Sequence, residues 1–325
     1  MLTDSVDTRT HSQTTNDYAL GHTDAEQERL IRQATIIAPV TERLFREAGI
    51  GPGQRVLDLG SGMGDVAMLV ARLVGRSGEV IGIEQDANSI ARAKARVAAS
   101  KLHNVSFVKT DANNIIFDEP FDAVVGRFIL MFLPNPVSVL RSVVRLLRPG
   151  GVVAFQEPSW TAMLALGARL PLWYRTRHLI HEILLRSGAN REMGLGLYRV
   201  FQDAGLPAPK MHLEMPLGSD AGFIRLTSDL LYSLRPLAEQ HRVSLKELGD
   251  LDTLPERICA EITATNTVVS LIAVVGAWSR KPVTADWVRG QPVARQRKYA
   301  DGGPKTTLVC SAAVVVSPLR VHQLH

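Results

Sequence analysis

The chain has 325 residues, enough for one large or two small domains with a substantial core, and its 46% hydrophobic and 21% charged content fits a soluble globular protein. Of the net charge of +5, +4 lies in residues 282–325, where six Lys or Arg face two Asp; a basic tail on a near-neutral body argues against a nucleic-acid partner. No apolar run reaches the roughly 20 residues that span a bilayer, no signal-peptide pattern opens the chain, and Cys259 and Cys310 lie far apart without metal-ligand spacing. A reduced, cytoplasmic protein with no membrane partner and no metal is expected.

In chain order, residues 1–17 are rich in Thr, Ser, Asp and Asn and are expected to be disordered. Residues 18–50 form a predicted helical cap. Thr23 and Glu26 make a capping-box pattern, and Leu30, Ile31, Ala34, Ile37 and Ala38 recur at helical spacing. Pro39 then predicts a break, with a second helix over Val40 to Ala48 ending at Gly49.

Next comes Arg55 to Ala67, RVLDLGSGMGDVA. Val56, Leu57 and Leu59 form an apolar run of strand length, Gly60, Gly62 and Gly64 follow, and Asp65 opens a segment of helical periodicity. Strand, glycine turn and helix open a doubly wound α/β domain, whose turn brings a ligand close to bare backbone at a helix N-terminus. A dinucleotide fingerprint, G-x-G-x-x-G, needs its third glycine where Asp65 stands, and a carboxylate suits pyrophosphate poorly. Asp58 adds a second acid, and acids here suit a ligand bearing an ammonium and a sulfonium. The stretch DLGSGMG resembles the nucleotide motif of class I S-adenosylmethionine (SAM)-dependent methyltransferases. An ordinary α/β glycine turn is the plainer alternative.

This resemblance extends in both directions. Upstream, YALGHTDAEQERL is similar to the N-terminal helix that lies over the cofactor in small-molecule members of the class, which implies Tyr18 as a cofactor contact; a packing helix with one tyrosine is the alternative. Downstream, EVIGI is a second strand closing in Glu84, 24 residues past Gly60. A carboxylate there can accept from ribose hydroxyls, with Gln85 beside it. Asp86 is read as the cap of the next helix, Asn88 to Ala99. After a third strand, Val105 to Val108, Asp111 matches the position that in the family accepts from the adenine amino group. The following N–H, of Ala112, is implied to meet the ring nitrogen.

FDAVV (Phe121 to Val125) is a fourth strand. The resemblance places Arg127 near the cofactor and Phe128, Met131 and Phe132 on the pocket floor, against a plain reading of core residues at helical spacing. LRPGG is a predicted tight turn into a fifth strand, VVAFQE, which ends in Glu157. The resemblance is good over Tyr18 to Glu157, and the core domain is read as residues 51–157.

Residues 158–282 are read as an acceptor-site insert and the completion of the sheet. Helices are predicted across 158–198 and over Phe223 to Ala260, a strand over Lys210 to Pro216, and a closing antiparallel strand over Val268 to Trp278. Residues 283–325 carry no motif and are expected to be unstructured.

The implied fold is α/β: a doubly wound, Rossmann-like, seven-stranded methyltransferase sheet with helices on both faces and a helical insert after strand five. The implied cofactor is S-adenosyl-L-methionine and the implied partner a small, hydrophobic or aromatic methyl acceptor; a homodimer is an assembly the chain allows. Methyl transfer needs alignment more than proton transfer. The candidates for orienting an acceptor or taking a proton are Glu157, expected to face the cleft, and His178, which with His181 lies on one helical face. Two exposed surface histidines are the plainer reading of that pair. Two other functions stay open, a nicotinamide-dependent reductase and a non-catalytic binding protein of the same fold.

Overall fold

The computed structural model describes residues 24–112, 115–164 and 169–283. Tyr18, Thr23, residues 1–17 and all but the first residue of 283–325 lie outside the described residues.

Among the described residues nine strands follow one another as β1 (Arg55–Leu59), β2 (Glu79–Glu84), β3 (Val105–Lys109), β4 (Phe121–Arg127), β5 (Leu147–Ser159), β6 (Lys210–Glu214), β7 (Leu217–Gly218), β8 (Val269–Ser270) and β9 (Ala273–Arg280). Seven of them form one sheet in the order β3-β2-β1-β4-β5-β9-β6, and β7 pairs with β8 as a separate ribbon. The first five are parallel. β9 runs antiparallel to both β5 and β6. This is the expected α/β fold with a seven-stranded sheet of methyltransferase order.

Side chains alternate across this sheet with the period of two that a pleat imposes. Leu57, Leu59, Ile83, Val124 and Phe155 join one core, Val56, Val80, Ala123, Val125 and Ala154 the other. Helices α2 (Asp65–Val74) and α3 (Ala87–Ala99) cover the second face, and α4 (Pro136–Arg145) the first. The Asp86 side chain accepts the Ser89 N–H at 2.7 Å and caps α3, as its sequence position suggests.

Three local expectations are corrected. Helix α1 (Asp24–Ala48) runs through Pro39 without ending. An interior proline costs about 3 kcal/mol, but Ile37, Val40, Leu44 and Phe45 on both sides of it are buried, and tertiary packing outweighs the lost bond. LRPGG lies inside β5 rather than before it: Phe121 pairs with Leu147 and Ala123 with Val152, so five steps of β5 oppose two of β4. The excess is taken up as a bulge at Gly150, whose φ is +76°. The apolar run from Val268 divides into β8 and β9, with Leu271 and Ile272 between them.

After β5 the chain adds α5 (Trp160–Leu164), α6 (Pro171–Arg186) and α7 (Met193–Asp203), then α8 (Ala221–Ser233), α9 (Arg235–Gln240) and α10 (Leu254–Ala264). Among the described residues no helix is long and apolar enough to cross a membrane. The chain winds outward from β1 through β2 and β3, and from β4 to the other side. The C-terminal ends of β1 and β4 therefore border the crevice where such sheets take ligands.

Candidate active site

A cavity of about 700 Å³ fills that crevice. Its floor starts at the glycine loop after β1. Gly60 has φ +67°, and a Cβ there would lie 2.6 Å from Ile129 Cδ1, so no other residue fits without displacing that wall. Gly62 has φ +50° and nothing within 4 Å of where a Cβ would be; its α-carbon opens onto the cavity. Gly64 sits behind them as the N-cap of α2 and does not line the cavity.

The loop is tied to the end of β2. Ser61 N–H donates to the Ile83 carbonyl at 2.9 Å, and Gly62 N–H donates to Glu84 Oε2 at 2.9 Å. Glu84 Oε1 accepts from the N–H groups of Gln85 (2.7 Å) and Asp86 (3.0 Å). Three bonds hold the carboxylate still at the cavity wall. A carboxylate has about four acceptor sites, so one remains for a ligand hydroxyl.

Charge is concentrated at this end. Asp65 lines the cavity and pairs with Arg96, Nη2 to Oδ1, at 2.6 Å. Asp58, two residues before Gly60 in β1, is buried and does not line the cavity. Burial pushes its carboxyl up to about 8, against the pull of Arg127 and of the Ala67 N–H, and Oδ2 has no hydrogen-bond partner. Arg127 lines the cavity from the end of β4 and donates to Thr41 Oγ1 at 3.1 Å; Thr41 in turn donates to Gln156 Oε1 at 2.7 Å. Burial lowers the Arg127 pKa, which Asp65 and Asp58 oppose.

The roof comes from α1 and α8. Arg29 is buried yet paired, Nε donating to Glu26 Oε2 at 2.7 Å and Nη1 to Gln33 Oε1 at 2.7 Å. Arg29, Leu30 and Gln33 line the cavity on α1, as do Leu226 and Leu230 on α8. The two helices are joined by Arg32 and Asp229 at 2.5 Å and by a hydrogen bond from Ser233 Oγ to Glu26. Trp160, Arg177, Leu184 and Leu271 close the far wall.

Of the residues singled out in the sequence, Gly60, Gly62, Glu84, Gln85, Ala112 and Arg127 line the cavity, as do Phe128, Met131 and Phe132. Asp111 stands between Thr110 and Ala112, both of which line it. Tyr18 lies outside the described residues. Two expectations are corrected. Glu157 does not face the cleft: it is 0% exposed, and its carboxylate accepts the N–H groups of Ile129 (3.0 Å), Leu130 (2.8 Å) and Met131 (3.3 Å). Strand alternation turns it under the loop that leaves β4, while Pro158 beside it reaches the cavity. Burial pushes the Glu157 carboxyl up to about 8, and the three N–H groups pull the other way. His178 packs its ring on Tyr174, centroids 4.3 Å apart, and does not line the cavity either. His181 lies against Arg191; burial and that cation lower its pKa to about 4.

Arg29, Gln33 and Arg177 are cavity residues that the sequence reading passed over. Arg29 and Gln33 are an i,i+4 pair on the helix already assigned to the roof. Arg177 shares its helical stripe with Trp173 and Leu184, one position from the histidine chosen instead.

Residues 50–204 match the family model described as "Methyltransferase domain". Over 116 residues the chain is 35% identical to an arsenite methyltransferase of Halobacterium salinarum, covering 35% of this chain and 30% of that protein. Over 117 residues it is 37% identical to the ubiquinone/menaquinone biosynthesis C-methyltransferase UbiE of Pseudomonas paraeruginosa, covering 34% and 46%. The chain thus spans less than half the length of these two curated relatives. A solved SAM-dependent methyltransferase from Aquifex aeolicus aligns with 58% of this chain and 92% of its own, at 19% identity and a TM-score of 0.45. Over residues 50–204, the chain carries a domain of the class I SAM-dependent methyltransferase family.

Proposed function

We propose that this protein transfers the methyl group of SAM to a small, hydrophobic or aromatic acceptor held in the same cavity. The observation that carries the reading is the continuity of that cavity. One end has the glycine loop and Glu84, the other Trp160, Leu184, Leu226 and Leu230. Donor and acceptor can therefore meet without crossing solvent.

The donor end fits SAM by its chemistry. The open α-carbon of Gly62 leaves room for close approach to the backbone. The remaining acceptor site of Glu84 suits a ribose hydroxyl, with Gln85 alongside. Thr110 and Ala112, which line the cavity, and Asp111 between them would meet the adenine edge. Asp65 and Glu84 provide the negative field that an ammonium and a sulfonium require. When bound, SAM supplies a methyl group on positively charged sulfur, a good neutral leaving group.

What the chain must add is orientation and dryness. Arg127, Thr41 and Gln156 brace the end of β4, and α1 with α8 covers the cavity from above. Among the described residues that line the cavity, the carboxylates are Asp65, Glu84 and Asp86, all beside the glycine loop, and no histidine is present. Among the described residues the acceptor end thus offers no general base, which suits an acceptor that arrives as a ready nucleophile.

Thermal unfolding with S-adenosylhomocysteine and with NADH tests the reading. A ligand at a hundred times its Kd adds about 2.7 kcal/mol. A midpoint shift with S-adenosylhomocysteine alone, followed by transfer of labelled methyl to an acceptor panel, is expected. A shift with NADH alone would make the protein a reductase, and none with either would make it a non-catalytic relative.

A further inference from the structure

Arg177 has no role at the methyl-donor end of the cavity, and its surroundings are unusual for a cation. Its residue is 2% exposed, and Nη2 donates to the Ser270 carbonyl at 3.0 Å. Nε has no hydrogen-bond partner, and among the described residues no carboxylate pairs with the guanidinium. Its Cζ stands 5.1 Å from the Trp173 ring centroid and 5.7 Å from that of Trp160. Aromatic faces offset the desolvation of a cation only in part.

The other arginines of the cavity differ. Arg29 is held by Glu26, and Arg127 lies in the field of Asp58 and Asp65. The negative charge that lines the cavity sits by the glycine loop, whereas Leu184, Leu226, Leu230 and Leu271 share the wall with Arg177. A second buried donor lies close by: Trp160 also lines the cavity, and its buried indole Nε1 has no partner. Two donors without acceptors, one of them charged, call for a group that only accepts. Carboxylates and ionised phenols are such groups, and a guanidinium is shaped to receive them.

We infer that Arg177, with the Trp160 indole N–H beside it, binds an anionic oxygen group on an otherwise apolar acceptor molecule. Calling that molecule the acceptor rests on the methyltransferase reading; the anion site itself does not. The inference also accounts for the missing base. An acceptor that has already lost its proton to solvent when it binds, as an anion that the guanidinium favours, needs no carboxylate or histidine in the cavity to take it.

The test is titration of the full chain with 2-naphthoate, 2-naphthol and the neutral 2-naphthamide, each with and without saturating S-adenosylhomocysteine. Naphthoate, or naphthol as it ionises with rising pH, is expected to bind at least about tenfold more tightly than the amide. Preference for one of the two anions tells carboxylate from phenolate. Arg177→Met should weaken that binding by about ten- to a hundredfold and leave the affinity for S-adenosylhomocysteine unchanged.

Equal binding of the amide, or no binding of either anion, overturns the inference. So does an Arg177→Met protein that loses S-adenosylhomocysteine in step, since Arg177 would then serve the cofactor. If S-adenosylhomocysteine does not bind while naphthoate still depends on Arg177, the anion site stands and the methyltransferase reading falls. Should the Met variant fail to fold, the wild-type comparison of anion and amide decides alone, and Arg177→Lys, which keeps the charge, should retain part of the preference.

Discussion

The Leu130 N–H donates to Glu157 Oε1 at 2.8 Å, joining residues 27 apart in the chain. Ile129 and Met131 donate to the same carboxylate, and Phe128, just before them, has a left-handed φ of +56°. A non-glycine residue in that region costs about 1–2 kcal/mol. Glu157 therefore braces a turn whose residues Phe128, Ile129 and Met131 form cavity wall.

Glu157→Gln replaces an accepting oxygen with a donating amide against those N–H groups. It should lower unfolding stability by about 1–3 kcal/mol, and Glu157→Ala by more, measured by urea denaturation. The residual turnover of folded Gln variant should keep the wild-type pH profile. A stable variant with an altered profile would return Glu157 to the chemistry.

Glu84→Ala releases the N–H groups of Gly62, Gln85 and Asp86 together and removes the acceptor proposed for ribose. Affinity for S-adenosylhomocysteine, followed by calorimetry, should fall by about ten- to a hundredfold. An unchanged Kd beside a lowered melting midpoint would reduce Glu84 to a loop brace.

The glycine-loop end of the cavity was legible because its information is local. A βαβ unit carries its glycines, its strand-end acid and its apolar periods within some thirty residues, and Gly60, Gly62 and Glu84 all reached the cavity from that reading. The far wall was not legible for the converse reason. Whether Arg177 or His178 faces inward depends on how α6 rolls against α8 and the tryptophans, and neighbouring positions on a helix point about 100° apart. Glu157 was misjudged for a related reason, since alternation fixes that successive strand residues face opposite ways but not which one meets the cavity. Pro39 was given its intrinsic preference, and the buried face of α1 overrode it.

Asp58 gives a pH signature. Its carboxyl is raised from 3.8 to about 8, so between those values the folded protein holds a proton that the unfolded chain has lost. Stability should therefore fall as pH rises through that window, by up to about 1.4 kcal/mol per pH unit, and level off above it. Asp58→Asn removes this contribution, and its advantage over wild type should grow from acid to mildly alkaline pH in thermal unfolding. Glu157 shifts in the same direction, so the variant keeps some slope. An advantage that does not change with pH would mean that Asp58 is ionised in the free protein.

The glycines separate two effects. Gly60→Ala and Gly62→Ala both place a side chain at positive φ, at a backbone cost of about 1–2 kcal/mol. Only the first also drives a Cβ into Ile129. Gly60→Ala should show the larger drop in melting midpoint without ligand. Gly62→Ala should lose more of the shift that S-adenosylhomocysteine produces than of its own stability. The reverse pattern would place the ligand elsewhere than over Gly62.

The clasp between α1 and α8 has a consequence for how the protein acquires its cavity. Arg32 meets Asp229 across 197 residues and Ser233 meets Glu26 across 207, whereas the Gly62–Glu84 bond spans 22. Closing a long loop of chain carries the larger entropy, and contacts of that span form late and open early. The glycine-loop end of the cavity is thus expected to form before α1 and α8 close over it. Amide hydrogen exchange should find α1 opening at lower free energy than β1 and β4, a molecule that loosens at the top while its floor stays folded.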